Sequence, residues 1–335
     1  MERYSRQTLF EPIGIKGQKK IENSSALIVG MGALGTVIAN HLTRAGIGRI
    51  RMIDRDFVEY SNLQRQTLFT ENDAKDMVPK AIAAKKVLET YNSKVNIEAH
   101  VAHVSENNIE HMIKGMDIVF DGTDNFSTRY ILNDICFKHG IPFSYGGVVS
   151  SRGMTAFFIP GRTSCLRCLF NEQQSTGQTC DTIGVISPIV DIVSSIQITE
   201  GLKYITENAD AIRPILRTFD IWNNHSYEVN LPQKKEDCPV CMHEKYPALE
   251  GANTAYLQSL CGRNSVQIIS PHSFDLTELE DRLQATGEIK RTPFLLRVEV
   301  SSDLTFVLFP NGRVLIQGTD DLVKARSMYD RYIGS

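Results

Sequence analysis

The sequence lacks the features expected of membrane, secreted and nucleic-acid-binding proteins. No apolar run is long enough to cross a bilayer, and the first residues lack the apolar segment of a signal peptide. The 36 basic and 39 acidic residues leave a net charge of only −3, which gives no general affinity for nucleic acid or anionic lipid. A cytoplasmic protein with neither membrane nor nucleic-acid partners is therefore expected.

Disulfides are not expected in such a compartment, although the chain has seven cysteines. Four of the cysteines form two Cys-x-x-Cys pairs, Cys165/Cys168 and Cys238/Cys241. Two such pairs supply the four thiolates of a closed tetrahedral site, which is typical of structural zinc. The alternatives are four reduced thiols without a metal, or a redox-active pair.

Short apolar runs alternate with helical patterns along the first two thirds of the chain. This order predicts a Rossmann-like, doubly wound α/β fold with a mostly parallel sheet. The expected domains are an ATP-binding adenylation domain with the cysteine pairs at 1–247 and a small α+β domain at 252–335. In the small domain, Asn311-Gly312 separates two strand-like runs and suits a type I′ hairpin turn.

A glycine-rich turn, Gly30-Met-Gly-Ala-Leu-Gly35, follows the first apolar run and precedes a helical pattern. This is the context of a phosphate-binding turn, in which backbone N–H groups at a helix N-terminus face an anion. Asp54 ends the next predicted strand, where a carboxylate can accept hydrogen bonds from ribose hydroxyls. The alternative is a tight turn without a ligand, and the pattern does not separate NAD from ATP.

Cations downstream of Asp54 favour a triphosphate. Arg65, in the run Ser61-Asn-Leu-Gln-Arg-Gln66, can bind phosphate through two N–H groups, and Lys80 supplies a point charge. Each cation could instead be an ordinary surface residue.

Asp124 follows the fourth predicted strand, at the sheet edge where such folds bind ligands. A carboxylate beside phosphates is a natural ligand for Mg²⁺. The alternative is that Asp124 caps the helix that begins near Phe126.

Together these elements resemble the MoeB/ThiF family, bacterial relatives of the ubiquitin-activating enzymes. The likeness covers about residues 1–246 and includes Arg3-Tyr-Ser-Arg6-Gln7, the glycine turn, Asp54, the 61–66 run, Lys80, Thr123-Asp-Asn125 and both cysteine pairs. It implies an ATP-dependent adenylyltransferase that activates the C-terminal Gly-Gly carboxylate of a ubiquitin-like, MoaD- or ThiS-like sulfur carrier for molybdopterin or thiamine synthesis. It also implies a homodimer, and a cysteine desulfurase or sulfurtransferase as a further partner.

The resemblance assigns roles by position. The expected catalytic residues are Arg6, inserted into the neighbouring subunit's site, together with Arg65, Lys80, Asp124 and Cys180. The expected ATP-binding residues are Gly30, Gly32, Ala33, Gly35, Asp54, Ser61, Asn62, Gln64, Arg65, Lys80, Asp124 and Asn125. Asp124 would hold Mg²⁺, and the four paired cysteines would hold Zn²⁺.

Some features stay open at this point. Cys180 takes part in sulfur transfer in ThiF-like relatives but is dispensable in MoeB-like ones, and Cys261 lies in a tail that many relatives lack. An NAD-dependent oxidoreductase would leave the 61–66 run and the cysteine pairs without a role. A non-catalytic scaffold would have no use for the charged set, and a tRNA-modifying dehydratase would need a basic surface.

Overall fold

The computed structural model describes residues 2–170, 183–250, 264–270 and 272–334, and the backbone of 257–260. Cys180 and Cys261 lie outside these residues. The chain divides into two compact units, Met1–Gly251 and Ala252–Ser335. Among the described helices, none is long and apolar enough to span a membrane.

The first unit is built on an eight-stranded sheet. Its strands are β1 (Ser25–Val29), β2 (Arg49–Asp54), β3 (Asn96–Val101), β4 (Ile118–Asp121), β5 (Phe143–Val149), β6 (Arg152–Phe158), β7 (Ile215–Asp220) and β8 (His225–Asn230). Their order is β3-β2-β1-β4-β5-β6-β7-β8. The first five strands in this order are parallel to one another, and β6, β7 and β8 each pair antiparallel with the strand before. The predicted fold class is therefore confirmed.

Helices cover both faces of this sheet. They are α1 (Ser5–Thr8), α2 (Gly14–Asn23), α3 (Ala33–Ala45), α4 (Glu71–Lys75), α5 (Lys80–Tyr91), α6 (Ile109–Ile113), α7 (Phe126–His139), α8 (Leu166–Leu169) and α9 (Ser187–Ile205). Side chains of β1 alternate between two apolar cores, with Ile28 in the core of α3, α5 and α9 and Leu27 in the core of α6 and α7. Burial on both faces is why the central strands β1 and β4 are mostly apolar.

The order in which the strands are added to the sheet reverses at β1. The chain proceeds outward to β2 and β3, then returns to β4 on the other side of β1. Such a switch point opens a crevice at the carboxyl ends of the two central strands, where doubly wound proteins bind ligands. Val29 of β1 pairs with Asp121 of β4 and with Ile53 of β2, so the glycine turn, Asp54 and the 121–125 loop all start at this edge.

The second unit is an antiparallel sheet with two helices. Its strands are β9 (Leu257–Leu260), β10 (Ser265–Ile269), β11 (Glu288–Arg291), β12 (Leu296–Ser301), β13 (Leu304–Leu308) and β14 (Arg313–Gln317), in the order β11-β12-β13-β14-β10-β9. The helices are α10 (Leu276–Leu283) and α11 (Leu322–Tyr332), whose apolar residues pack on one sheet face.

The hairpin between β13 and β14 corrects the predicted turn type. The N–H of Gly312 donates to the carbonyl of Phe309, and only Gly312 of the two turn residues has a positive φ, +84°. This hydrogen bond encloses Pro310 and Asn311, which are therefore the central residues of the observed turn. A type I′ turn needs positive φ at both central residues, whereas the ring of Pro310 holds its own φ near −65°. The connection is therefore a type I turn followed by a left-handed glycine.

Candidate active site

Three glycines allow the glycine turn to close on the sheet edge. Gly30 has a φ of +88°, which favours glycine. A Cβ on Gly35 would lie 1.9 Å from the Gly30 carbonyl oxygen, and a Cβ on Gly122 would lie 2.4 Å from the same atom. Gly122 follows β4 and was not predicted as a site residue. Its role depends on a contact between segments about 90 residues apart, which the sequence pattern does not contain.

Gly32 has a different environment from these three glycines. A Cβ added there would meet nothing closer than the Gln66 Nε2, at 3.9 Å. Gly32 is the N-cap of α3, and it has no side chain to satisfy the N–H groups of the first turn, which begins at Ala33. The turn thus presents open space and backbone donors, the arrangement that binds a phosphate group.

Asp54 connects the glycine turn to the second strand. Its carboxylate accepts hydrogen bonds from the backbone N–H groups of Met31 and Asp56, both at 2.6 Å. Burial raises the pKa of Asp54, and the positive charge of Lys80 opposes that shift. Two backbone donors hold the carboxylate in one orientation at the crevice.

Lys80 is a buried cation at this edge. The residue is 5% exposed, and its Nζ lies 4.0 Å from a carboxylate oxygen of Asp56. Its backbone N–H donates to the Asp56 carbonyl, which fixes the start of α5. A lysine is rarely buried unless it is paired, and the carboxylate paired with Lys80 is that of Asp56.

The 61–66 run forms a short turn whose side chains are partly engaged locally. The Oδ1 of Asn62 accepts from the Glu59 backbone N–H at 3.1 Å and so caps the turn. A guanidinium N–H of Arg65 donates to the Ser61 carbonyl at 2.9 Å. If Asn62 contacts phosphate as predicted, its amide nitrogen would make the contact.

Gln64 points toward the segment that leads into α9. Its Nε2 lies 3.5 Å from the Val185 carbonyl oxygen, at the limit of a hydrogen bond. That segment runs beside the end of β5, where the Ser150 N–H donates to the Gly184 carbonyl at 2.7 Å. The 61–66 run and the 183–186 segment thus come together at one margin of the crevice.

A buried ion pair organises the loop after β4. Asp121 is fully buried, and its carboxylate accepts from Arg129 Nε at 2.9 Å and from the Thr123 N–H at 2.8 Å. Arg129 also donates to the carbonyls of Thr123, at 2.7 Å, and Gly146, at 2.9 Å. Neither Asp121 nor Arg129 was predicted as a site residue, although an arginine in the first turn after an acidic strand end was a usable signal.

Asn125, rather than Asp124, caps helix α7. The Asn125 side-chain oxygen accepts from the Thr128 N–H at 2.9 Å. The capping alternative for Asp124 is therefore wrong, and Asp124 is an exposed residue of the loop that follows β4. An oxygen ligand in that position fits the donor preference of Mg²⁺.

The four paired cysteines converge in the first unit. All four Sγ atoms lie within 4.8 Å of one another. The Cys165–Cys238, Cys168–Cys241 and Cys165–Cys168 sulfur distances are 3.5, 3.4 and 4.0 Å. A tetrahedral zinc with Zn–S bonds of about 2.3 Å places sulfurs about 3.8 Å apart, so the cluster fits this metal.

The cysteine cluster is tied to helix α7 by a second buried ion pair. Arg167, inside the first cysteine pair, donates to both carboxylate oxygens of the fully buried Asp134 at 2.9 Å. The guanidinium also lies over the Tyr130 ring, with its central carbon 4.6 Å from the ring centroid. The Leu166 N–H donates to the Asn133 side chain at 2.8 Å. The helix that carries Asn125 is therefore braced against the cysteine pair.

Arg167→Met is expected to lower the free energy of unfolding by about 3–5 kcal/mol, because it leaves the Asp134 carboxylate buried without its cation. Chemical denaturation would measure the loss. Arg162→Met is the matched control, since Arg162 is exposed and donates to one carbonyl, that of Ala209. A loss below about 1 kcal/mol in Arg167→Met, equal to that of the control, would show that the pair is not structural.

Arg6 is exposed on α1, and no hydrogen bond or ion pair within the described part of the chain joins it to the crevice. Nearby apolar side chains are also exposed, namely Leu9, Phe10 and Ile15. The described chain therefore does not place this predicted catalytic residue in its own site.

Comparison with known proteins shows which family the chain belongs to. The sequence profile of the ThiF family matches residues 4–240. The chain belongs to the ThiF family. The resemblance noted from its motifs is thereby confirmed, and ThiF family membership accounts for the cysteine pairs and charged set that an NAD-dependent oxidoreductase leaves without a role.

Relatives within the ThiF family match different lengths of the chain. The sulfur carrier protein ThiS adenylyltransferase of Bacillus subtilis (strain 168) is 46% identical over 99% of both chains, which includes the second unit. The SAMP-activating enzyme E1 of Haloferax volcanii is 34% identical over 72% of this chain and 88% of its own. Among solved structures, E. coli MccB with ATP is similar in fold, with a TM-score of 0.63, 22% identity and coverage of 72% of this chain and 74% of MccB.

Proposed function

We propose that this ThiF family chain is an ATP-dependent adenylyltransferase that activates the C-terminal Gly-Gly carboxylate of a ThiS-like sulfur carrier. The observation that carries the substrate class is the 46% identity with a ThiS adenylyltransferase over 99% of both chains. The anion cradle at Gly32, the fixed Asp54 and the buried Lys80 support nucleotide use on independent grounds.

The reaction needs no general base. The carrier carboxylate is already ionised, so one of its oxygens attacks the α-phosphorus of ATP while the bond to the β-phosphate oxygen breaks. The products are an acyl-adenylate and pyrophosphate, and no proton has to move. Catalysis then consists of positioning the two reactants and stabilising charge that develops on the phosphate oxygens.

Different residues of the crevice would position the reactants and stabilise the charge. The first turn of α3 holds one phosphate by backbone N–H groups, and Asp54 holds the ribose in one orientation. Arg65 and Lys80 supply positive charge for the departing pyrophosphate. Asp124 would hold Mg²⁺, which supplies further charge neutralisation, and the four cysteines would hold Zn²⁺ as a structural ion.

Mass spectrometry of the carrier tests this function. A ThiS-like carrier incubated with the enzyme, ATP and Mg²⁺ should gain the mass of one adenylyl group (AMP less one water), and a carrier without its final Gly-Gly should not. Adenylation of both carriers would contradict recognition of the Gly-Gly end. Failure to adenylate the intact carrier, by an enzyme that binds ATP, would favour the scaffold or tRNA-modifying alternatives.

The thiamine-pathway carrier is the preferred substrate within this proposal. The relative matched over the whole chain is named for ThiS, whereas the Aedes aegypti adenylyltransferase and sulfurtransferase MOCS3 is matched over 55% of its length, at 36% identity. A cysteine desulfurase or another sulfurtransferase would then supply sulfur to the activated carrier. Cys180 either receives that sulfur or is inert, and this prediction stays open.

A homodimer forms the second part of the proposal. Arg6 is exposed, is followed in the sequence by the exposed Leu9, Phe10 and Ile15, and has no described contact with its own crevice. A two-fold dimer through this patch would bury the apolar side chains and carry Arg6 into the site of the partner subunit.

Subunit mixing tests the shared site. Arg6→Ala and Asp124→Ala are each expected to be inactive, but mixed dimers contain one site with both residues intact. Random exchange of subunits should restore about a quarter of the wild-type pyrophosphate exchange, because one site in four is then complete. A mixture that stays inactive although subunits have exchanged would place Arg6 in its own subunit's site, and normal exchange by Arg6→Ala alone would place Arg6 outside catalysis.

A further inference from the structure

Gln66 is a buried side chain with an unsatisfied oxygen. The residue is 4% exposed, and its Oε1 has no hydrogen-bond partner among the described residues. Nearly all buried side-chain polar atoms in native proteins have a partner, because burying an unpaired amide oxygen destabilises the fold. The roles assigned to the rest of the 61–66 run do not explain this exception.

The side chain is not needed to hold the local backbone. The Gln66 N–H donates to the Asn62 carbonyl at 3.0 Å, and the Gln66 carbonyl accepts from the Phe69 N–H at 3.2 Å. The turn is thus closed by main-chain hydrogen bonds on both sides. A methionine of similar length would fill the same space without an unpaired oxygen.

The amide borders the anion cradle. Its Nε2 is the atom nearest to the position that a Cβ on Gly32 would occupy, at 3.9 Å. Gly32 is the N-cap of α3, so the amide nitrogen lies beside the N–H groups of the first helical turn. A neutral amide donor at this point can join those N–H groups in binding an anionic oxygen.

We propose that Gln66 is a phosphate-binding residue, whose Nε2 donates to a non-bridging oxygen of the phosphate held at Gly32. The inference rests on the proposed function for the identity of the nucleotide, but it requires only that a phosphate occupies the cradle. Gln66 contributes to nucleotide affinity at the expense of stability, which explains why a buried amide with an unpaired oxygen occupies this position.

Nucleotide affinity and thermal stability of Gln66→Met test the proposal together. Loss of one hydrogen bond to a charged group should weaken ATP and AMP binding by roughly ten- to a hundred-fold. Adenosine, which has no phosphate, should bind as it does to wild type. The unfolding temperature should be unchanged or higher, because the unpaired oxygen is gone. Gln66→Glu should weaken ATP further, since it adds a negative charge beside the phosphates.

Gln267→Met is the matched control. Gln267 is 2% exposed and also has an unpaired Oε1, but it lies on β10 of the second unit. Its substitution should leave ATP, AMP and adenosine affinities unchanged. If Gln66→Met keeps wild-type ATP affinity, weakens adenosine equally, or lowers the unfolding temperature, Gln66 is structural and the proposal is wrong. Wild-type enzyme that binds ATP but adenylates no carrier would contradict the proposed function, while the Gln66 comparison would still be decided by binding.

Discussion

Asp124→Ala is expected to lower ATP–pyrophosphate exchange by roughly 10²–10³-fold, the range seen when one group that stabilises transition-state charge is removed. The reason is the proposed position of Asp124 at the carboxyl edge of the sheet, where it would hold Mg²⁺ against the triphosphate. The unfolding temperature should stay that of the wild type, because Asn125 makes the N-cap of α7.

Asn125→Ala provides the contrast. It removes the hydrogen bond from the cap to the Thr128 N–H, so it should cost about 1 kcal/mol of stability. A calorimetric comparison of the two variants separates the roles of these neighbouring residues. Near-normal exchange in Asp124→Ala would exclude it as the magnesium ligand, and a loss of stability equal to that of Asn125→Ala would make its effect structural.

Cys168→Ser is expected to release zinc and to destabilise the first unit by more than about 4 kcal/mol, the range reached when a structural metal is lost. For a unit of this size the unfolding temperature should fall by roughly 8–16 °C. Burial and the neighbouring sulfurs raise the pKa of the Cys165 thiol, and a bound zinc ion would lower that pKa by stabilising the thiolate. Because Arg167 is hydrogen-bonded to Asp134 of α7, loss of the metal should also destabilise this helix.

Cys136→Ala is the control for this variant. Cys136 is fully buried in α7, outside the cysteine cluster, so its substitution removes packing but no metal ligand. Metal analysis should find one zinc per chain in wild type and in Cys136→Ala, and much less in Cys168→Ser. Equal zinc content in all three proteins, or no zinc in the wild type, would contradict the metal assignment.

Local patterns predicted most of the first unit. Strands β1 and β4 are short, mostly apolar runs, and the glycine turn between β1 and α3 requires its residue types for reasons internal to the motif. The convergence of the cysteine pairs was also predictable, because four thiols at two paired spacings have few alternative uses. These signals need no knowledge of distant contacts.

The features that the sequence did not predict depend on contacts between distant segments of the chain. Gly122 is required because the loop after β4 packs on the Gly30 carbonyl, and Arg129 is required because it joins Asp121 to the Gly146 carbonyl. Helix α2 contains Gly14 and Gly17, which weaken a helical pattern, yet a Cβ on Gly17 would lie 3.1 Å from the Thr206 side chain after α9. Close packing between helices therefore overrides helix propensity there.

Turn and cap chemistry explains the remaining errors. The sequence Asp124-Asn125 offers two good cap residues in a row, and only the backbone geometry selects Asn125. Similarly, Asn311-Gly312 matches a type I′ turn until Pro310 is taken into account. In both cases a neighbouring residue determines the outcome.

Carrier-dependent ATP–pyrophosphate exchange tests the central claim most directly. Purified enzyme with ATP, Mg²⁺ and labelled pyrophosphate would be assayed without a carrier, with a ThiS-like carrier and with a MoaD-like carrier. The adenylyltransferase account predicts exchange only when a carrier is present, with the ThiS-like carrier preferred. Exchange that is the same without a carrier, or no exchange with either carrier by an enzyme that binds ATP, would contradict it.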